Sequence, residues 1–165
     1  AEIAIIQQLT LLLGHPVYAV ATVLAAILIC SGVGSMWSDR LAVSRAPYVA
    51  AALAGVLALL GMLLLDIVHL LQPAALLVRV GIATVLLAPV AAIMGILFPL
   101  GLRGVAGEDS SRIAWSWAAN GFSSVVSVPL AALIALEAGS RMLLLFAATA
   151  YVASALLSWS QRRNA

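Results

Sequence analysis

IAWSWAANGFSSVVSVPLAALIAL, running from Ile113 to Leu136, carries no charged side chain. An α-helix needs roughly 20 mostly apolar residues to cross a bilayer, and this stretch has that length. Within it, Ser116, Asn120, Ser123, Ser124 and Ser127 stand at offsets of 0, 4, 7, 8 and 11. At 3.6 residues per turn those offsets share one face. The spacing therefore predicts a membrane helix that is apolar except for a polar stripe. In hydrocarbon an amide or hydroxyl has no water to bond, so the stripe is expected to turn inward, toward other helices or a companion chain.

The whole chain has the same character. Of its residues 65% are hydrophobic and 8% charged, against about 45–50% and about 25% in soluble domains. A soluble domain of this length has no core large enough to hide so much apolar surface. The composition predicts an integral membrane protein, and with no β-strand pattern evident its fold class is all-α. The net charge of +2 comes from dispersed arginines, with no lysine. That is too weak a field for a nucleic-acid surface. Cys30 is the single cysteine, so no internal disulfide can form. A structural zinc site takes four protein ligands. One Cys and two His make neither a metal site nor another cofactor site an expectation.

Read in order, the sequence predicts a single helical domain over 1–165, a polytopic bundle of about six transmembrane helices. The spans fall near 1–13, 17–37, 48–65, 80–102, 113–136 and 142–159. The first segment, Ile3–Leu13, is too short to cross at 1.5 Å per residue. It is either re-entrant or the later part of a truncated helix, and the second reading is preferred. Gly14-His15-Pro16 makes the first break. The second span ends in SGVGS (Ser31–Ser35), whose small residues let helix backbones approach closely in lipid. Charged loops follow at Ser38–Arg45 and Arg103–Arg112, Glu108 included. Asp66, His69 and Gln72 open an interfacial segment after the third span. Pro89, Pro99 and Pro129 fall inside spans, where membrane helices tolerate them. Glu137, Gly139 and Arg141 mark the last turn, and Trp37, Trp115, Trp117 and Trp159 fall near span ends as interfacial anchors do.

With six crossings, Arg40, Arg45, Arg103, Arg112, Arg162 and Arg163 share one side, and Arg79 and Arg141 the other. The positive-inside rule places the richer side, with the C-terminus, in the cytoplasm. The expected localisation is a multi-pass inner-membrane protein.

Four stretches together resemble a known family: Glu2–Ala19 (EIAIIQQLTLLLGHPVYA), Ser31–Ser35 (SGVGS), Gly95–Arg103 (GILFPLGLR) and Ala114–Val125 (AWSWAANGFSSV). In this order and spacing they resemble the C-terminal membrane region of bacterial proteins in which a spermidine-synthase-like domain is fused to transporter-like helices. The resemblance covers essentially the whole chain. It implies a six-helix block similar to half of a major-facilitator transporter. Ser35–Arg40 (SMWSDR) also looks like a degraded copy of the glycine–aspartate–arginine loop of such transporters, with Ser35 in place of the glycine. Catalysis is not implied, since an aminopropyltransferase needs a strand, a glycine-rich turn and a helix around its nucleotide, and no such context is present here.

The candidate residues each carry two readings. The stripe of Ser116, Asn120, Ser123, Ser124 and Ser127 either lines a path for a polar or cationic solute or bonds helices together. Glu2 either binds a proton or cationic amine at depth or is an exposed end residue. Gln7 and Gln8 lie beyond it and face different neighbours. Asp66 and His69, three apart, form an ion pair at the membrane edge or a proton relay. The function expected is a non-catalytic domain that anchors or serves a spermidine-synthase-like module. A structural subunit of a larger complex and a transporter of a polyamine or other cation are the alternatives. The partners expected are the lipid bilayer, a second copy or another membrane subunit, and a polyamine.

Overall fold

The first break is built as its residue types require. Helix α1 (Glu2–Leu13) stops at Gly14, whose φ of 74° suits a residue without a Cβ. Its amide donates back to the Thr10 carbonyl at 3.0 Å, closing the last turn. His15 then caps α2 (Pro16–Ser38), with Nδ1 accepting from the Val17 amide at 3.3 Å and Pro16 in the first helical turn. A short 3-10 turn, Val43–Arg45, leads into α3 (Ala46–Leu71). Helices α4 (Leu76–Ala106) and α5 (Ser110–Arg163) complete the chain. The computed structural model describes residues 2–106 and 109–163, and among these every regular element is helical. Glu108, expected in the loop before α5, lies outside the described residues.

Two features depart from the expected layout. Among the described residues, four stretches are long and apolar enough to cross a membrane, not six: Pro16–Ser38, Val43–Leu71, Leu76–Val105 and Ser110–Ser160. Helix α1 has 12 residues, about 18 Å at 1.5 Å per residue, short of the ~30 Å hydrocarbon layer. The last two expected spans fall within α5, which is broken only at Gly139 (φ 82°, ψ 162°). There the chain adopts a backbone conformation that a Cβ disfavours, and two arms result, 110–138 and 140–163. The second departure is at the end of α3. Asp66 and His69 lie inside the helix, which runs on past the expected span end at Leu65 to Leu71. Polar side chains do not stop a helix, and no glycine or proline lies between Gly61 and Pro73.

Packing centres on the short helix. Helix α1 touches each of the other four α-helices and buries Ala4, Ile5, Leu9 and Leu12. Around it lie Leu53, Leu57 and Leu64 of α3, Ala83 and Leu87 of α4, and Leu143 and Leu144 of α5. Helices α2 and α4 form the most extensive pair. A Cβ placed on Gly34 would overlap the Ala92 carbonyl, and one on Gly95 the Ser31 carbonyl. The small residues of SGVGS thus do what they are suited to: they bring two backbones into direct contact.

The outer surface is as apolar as the core. Leu28, Ile29, Val85, Phe122 and Val125 are each more than 65% exposed. Soluble monomers rarely present contiguous apolar surface on this scale, whereas in lipid it needs no cover.

Candidate functional site

The arms of α5 face each other across a groove that α1 and α4 close. The first turn of α1 supplies Glu2 and Ile3, and α4 supplies Met94. The first arm supplies Asn120, Ser124, Ser127, Val128 and Ala131, and the second Ala147 and Tyr151. On the first arm Asn120, Ser124, Ser127 and Ala131 follow the 4, 3, 4 spacing of one helical face. On the second arm Ala147 and Tyr151 are four apart and also share a face. The groove encloses about 390 Å³ and stays open on one side.

The serine hydroxyls in it have already committed their protons. Ser124 Oγ donates to the Asn120 carbonyl at 2.9 Å and Ser127 Oγ to the Ser124 carbonyl at 3.0 Å. Such back-bonding is common for serine inside a helix. It leaves the serine lone pairs to accept, beside the Glu2 carboxylate and the Asn120 amide oxygen. The groove thus offers acceptors at Glu2, Ser124, Ser127 and Asn120, donors at the Asn120 amide and the Tyr151 hydroxyl, one formal negative charge, and apolar walls at Met94, Val128 and Ala131.

Compared with protein-family models, curated proteins and solved structures, the chain matches none. The site is accordingly read on its chemistry alone.

The sequence candidates do not all converge here. Glu2, Asn120, Ser124 and Ser127 meet in the groove, but Ser116 and Ser123 do not line it. Ser116 Oγ is bonded to the Arg112 carbonyl at 2.8 Å, and Ser123 is exposed. The stripe was expected to turn inward, toward other helices or a companion chain, and among the described residues no helix of this chain covers it. Asn120, Ser123, Ser124 and Ser127 are all exposed, because arm 110–138 runs along the edge of the bundle with little packed over it. Its apolar residues share that exposure, Trp115 at 74% among them. One aromatic contact ties it to α4, with the Trp117 and Phe98 rings edge to face at 4.8 Å.

Gln7 and Gln8 part company. Gln7 is exposed, while Gln8 is 1% exposed and its Nε2 donates to Ser140 Oγ at 3.0 Å. Gln8 Oε1 has no partner among the described residues. Asp66 and His69 are both exposed and not paired. Among the described residues the ion pairs are Arg103–Asp39 at 3.8 Å and Arg112–Asp109 at 3.3 Å. No three of the described His, Cys, Asp and Glu residues come together as a metal site.

Sequence reasoning missed Tyr151, Ser140 and Arg79. Tyr151 had a legible signal: it is a lone hydroxyl-bearing ring in the middle of a run of Ala, Leu and Val. Arg79 bonds the carbonyls of Leu12 at 2.9 Å, Ala74 at 2.7 Å and Gln72. It had only its isolation after Pro73 to mark it.

Proposed function

We propose that the chain is a non-catalytic inner-membrane domain, a transporter-like half bundle that anchors or serves a spermidine-synthase-like partner module and receives a polyamine in the α1–α5 groove. One observation carries this reading: Glu2, Asn120, Ser124, Ser127 and Tyr151 gather in a single cleft. A carboxylate with surrounding acceptors holds an ammonium group by charge-assisted hydrogen bonds, and apolar walls suit the methylenes between amines. The carboxylate and the acceptors around it suit the cleft to holding a cation.

The membrane arrangement goes with this reading. Helices α2, α3 and α4 each cross once, and each arm of α5 crosses once. Helix α1 forms part of a sixth crossing. The arginine-rich end, with the C-terminus, faces the cytoplasm. A half bundle needs a second half, because transporter sites form between repeats near the midplane.

Radiolabelled spermidine binding to the full chain in proteoliposomes tests the proposal. Glu2→Gln is expected to weaken binding about ten-fold, the weight of one charge-assisted hydrogen bond. Binding that is absent from the parent chain, or indifferent to Glu2→Gln, removes the polyamine from the proposal. Spermidine flux without a partner would instead favour a transporter. A structural subunit is the second reading, supported by the exposed apolar arm 110–138. On that reading Asn120→Leu leaves assembly intact or tighter.

A further inference from the structure

A second and larger groove lies between α3 and the second arm of α5, away from the cleft that holds Glu2. It encloses about 580 Å³. Its floor on α3 is Ala51, Ala54, Gly55 and Ala58, at the 3, 1, 3 spacing of one face. The facing wall includes Val152 and Leu156. Thr149 also lines it, but its hydroxyl donates to the Phe146 carbonyl at 2.8 Å, so this side chain too offers little polarity. Pro47, Tyr48 and Trp159 close one end, where the Tyr48 and Trp159 rings meet edge to face at 5.5 Å.

The contents of such a space are constrained. Water needs two to four polar partners, and the walls do not provide them. An empty trough forfeits the dispersion contacts of every lining atom. A flexible alkyl chain meets both conditions. From Tyr48 to Ala58 the floor runs about 15 Å at 1.5 Å per residue, so the trough is elongated as such a chain requires. A partner helix lying along it would have to displace the Tyr48–Trp159 pair. A lipid instead ends where that pair stands, since tyrosine and tryptophan mark the headgroup level.

Charge at the closed end selects the headgroup. Arg45 precedes Pro47 by two residues, is exposed, and appears in no ion pair among the described residues. Among the described acids, Asp39 pairs with Arg103 and Asp109 with Arg112. Asp66 stands toward the other end of α3, Glu137 at the corner of α5, and Glu2 in the other groove. The sequence places Arg162 and Arg163 shortly after Trp159. The exposed Arg45, outside both ion pairs, puts a positive charge beside the mouth of an apolar trough, and that complements an anionic phospholipid.

We propose that the α3–α5 groove holds an acyl chain of an anionic phospholipid whose phosphate is taken by Arg45. The test uses the full chain with Trp37→Phe, Trp115→Phe and Trp117→Phe, leaving Trp159 as the reporter at the mouth. It is reconstituted in vesicles of equal parts phosphatidylcholine and phosphatidylglycerol, with bromine on the acyl chains of one lipid or the other. Brominated phosphatidylglycerol is expected to quench Trp159 about five-fold more effectively, the factor one basic residue contributes near a membrane surface. Arg45→Gln should equalise the two lipids. Gly55→Leu with Ala58→Leu, which fills the trough, should lower quenching by both. Equal quenching in the parent chain overturns the proposal, as does a preference that survives Arg45→Gln. A second measurement does not depend on the tryptophan variants: native mass spectrometry of the otherwise unaltered chain should retain phosphatidylglycerol, and Arg45→Gln should lose it. Dimers cross-linked through Gly55→Cys in a Cys30→Ser chain, with no lipid preference, would assign the groove to a second copy and overturn the proposal as well.

Discussion

Arg79 joins three carbonyls with one guanidinium, those of Leu12 in the last turn of α1, Gln72 at the end of α3 and Ala74 in the turn before α4. Carbonyls at helix ends lack intrahelical partners and carry the negative pole of the helix dipole, so a cation there satisfies both needs. The planar fork spreads five donors over three nitrogens and so spans separated carbonyls, whereas a lysine ammonium has three donors on one atom. Arg79→Ala is therefore expected to cost roughly 2–3 kcal/mol in detergent unfolding, in the range of hydrogen bonds to charged groups. Arg79→Lys should recover less than half of that. Gln8 gives the opposite expectation. Among the described residues its one side-chain bond, to Ser140, is of a kind worth about 0.6 kcal/mol on average in membranes, and its buried Oε1 has no partner there. Gln8→Leu should change stability by less than about 1 kcal/mol in the same assay. The sequence made Gln8 conspicuous as an amide in an apolar run, but periodicity names a face and not the neighbour on it. Ser140 and the reach of Arg79 were not legible for that reason.

Among the elements, α2 and α4 show how far small residues can be read. SGVGS announced a close helix contact from composition alone, and that contact exists. Which glycine serves it depends on the rotation of α2 about its axis, which five residues do not specify. Gly34 is buried against the Ala92 backbone, while a Cβ on Gly32 would meet nothing within 4 Å. The two positions should therefore separate cleanly. Gly34→Ala is expected to destabilise by about 1–3 kcal/mol, the range for overpacking, and toward the top of it because backbone and not a flexible side chain stands in the way. Gly32→Ala should be neutral or slightly stabilising, since alanine loses less entropy than glycine in a helix. Unfolding of both variants in one detergent checks this, and equal costs would place the crossing elsewhere. The Gly14-His15-Pro16 break was legible for a firmer reason: positive φ, a cap and a first-turn proline are local properties. The end of α3 was not, because polar residues permit a helix as readily as they end one.

Over the whole molecule the two ends differ in charge. Arg103 bonds the Ser38 carbonyl, Val43 packs near Gly104, and Tyr48 meets Trp159. These contacts gather the end of α2, the start of α3 and the ends of α4 and α5, and with them Arg40, Arg45 and Arg103. Arg79 stands at the other end, with Leu12 and Gln72. Counting arginines along the sequence anticipated this sorting, because an alternating helical chain leaves few ways to distribute its loops. The open face of arm 110–138 was not anticipated. A stripe of serine and asparagine says that it wants polar company, not whether that company is in the same chain. The proposed orientation rests on this sorting, since arginine in short loops tends to be retained on the cytoplasmic side. Two single-cysteine chains in a Cys30→Ser background test it. Ser44→Cys sits in the exposed 3-10 turn and Gln72→Cys at the exposed end of α3. In intact spheroplasts a membrane-impermeant maleimide should label Gln72→Cys at once and Ser44→Cys only after permeabilisation. The reverse pattern would put the arginine-rich end outside, where anionic cytoplasmic lipid is not available to Arg45. Equal labelling of both would mean that α3 does not cross at all, and the membrane arrangement proposed for α2 and α4 would fail with it.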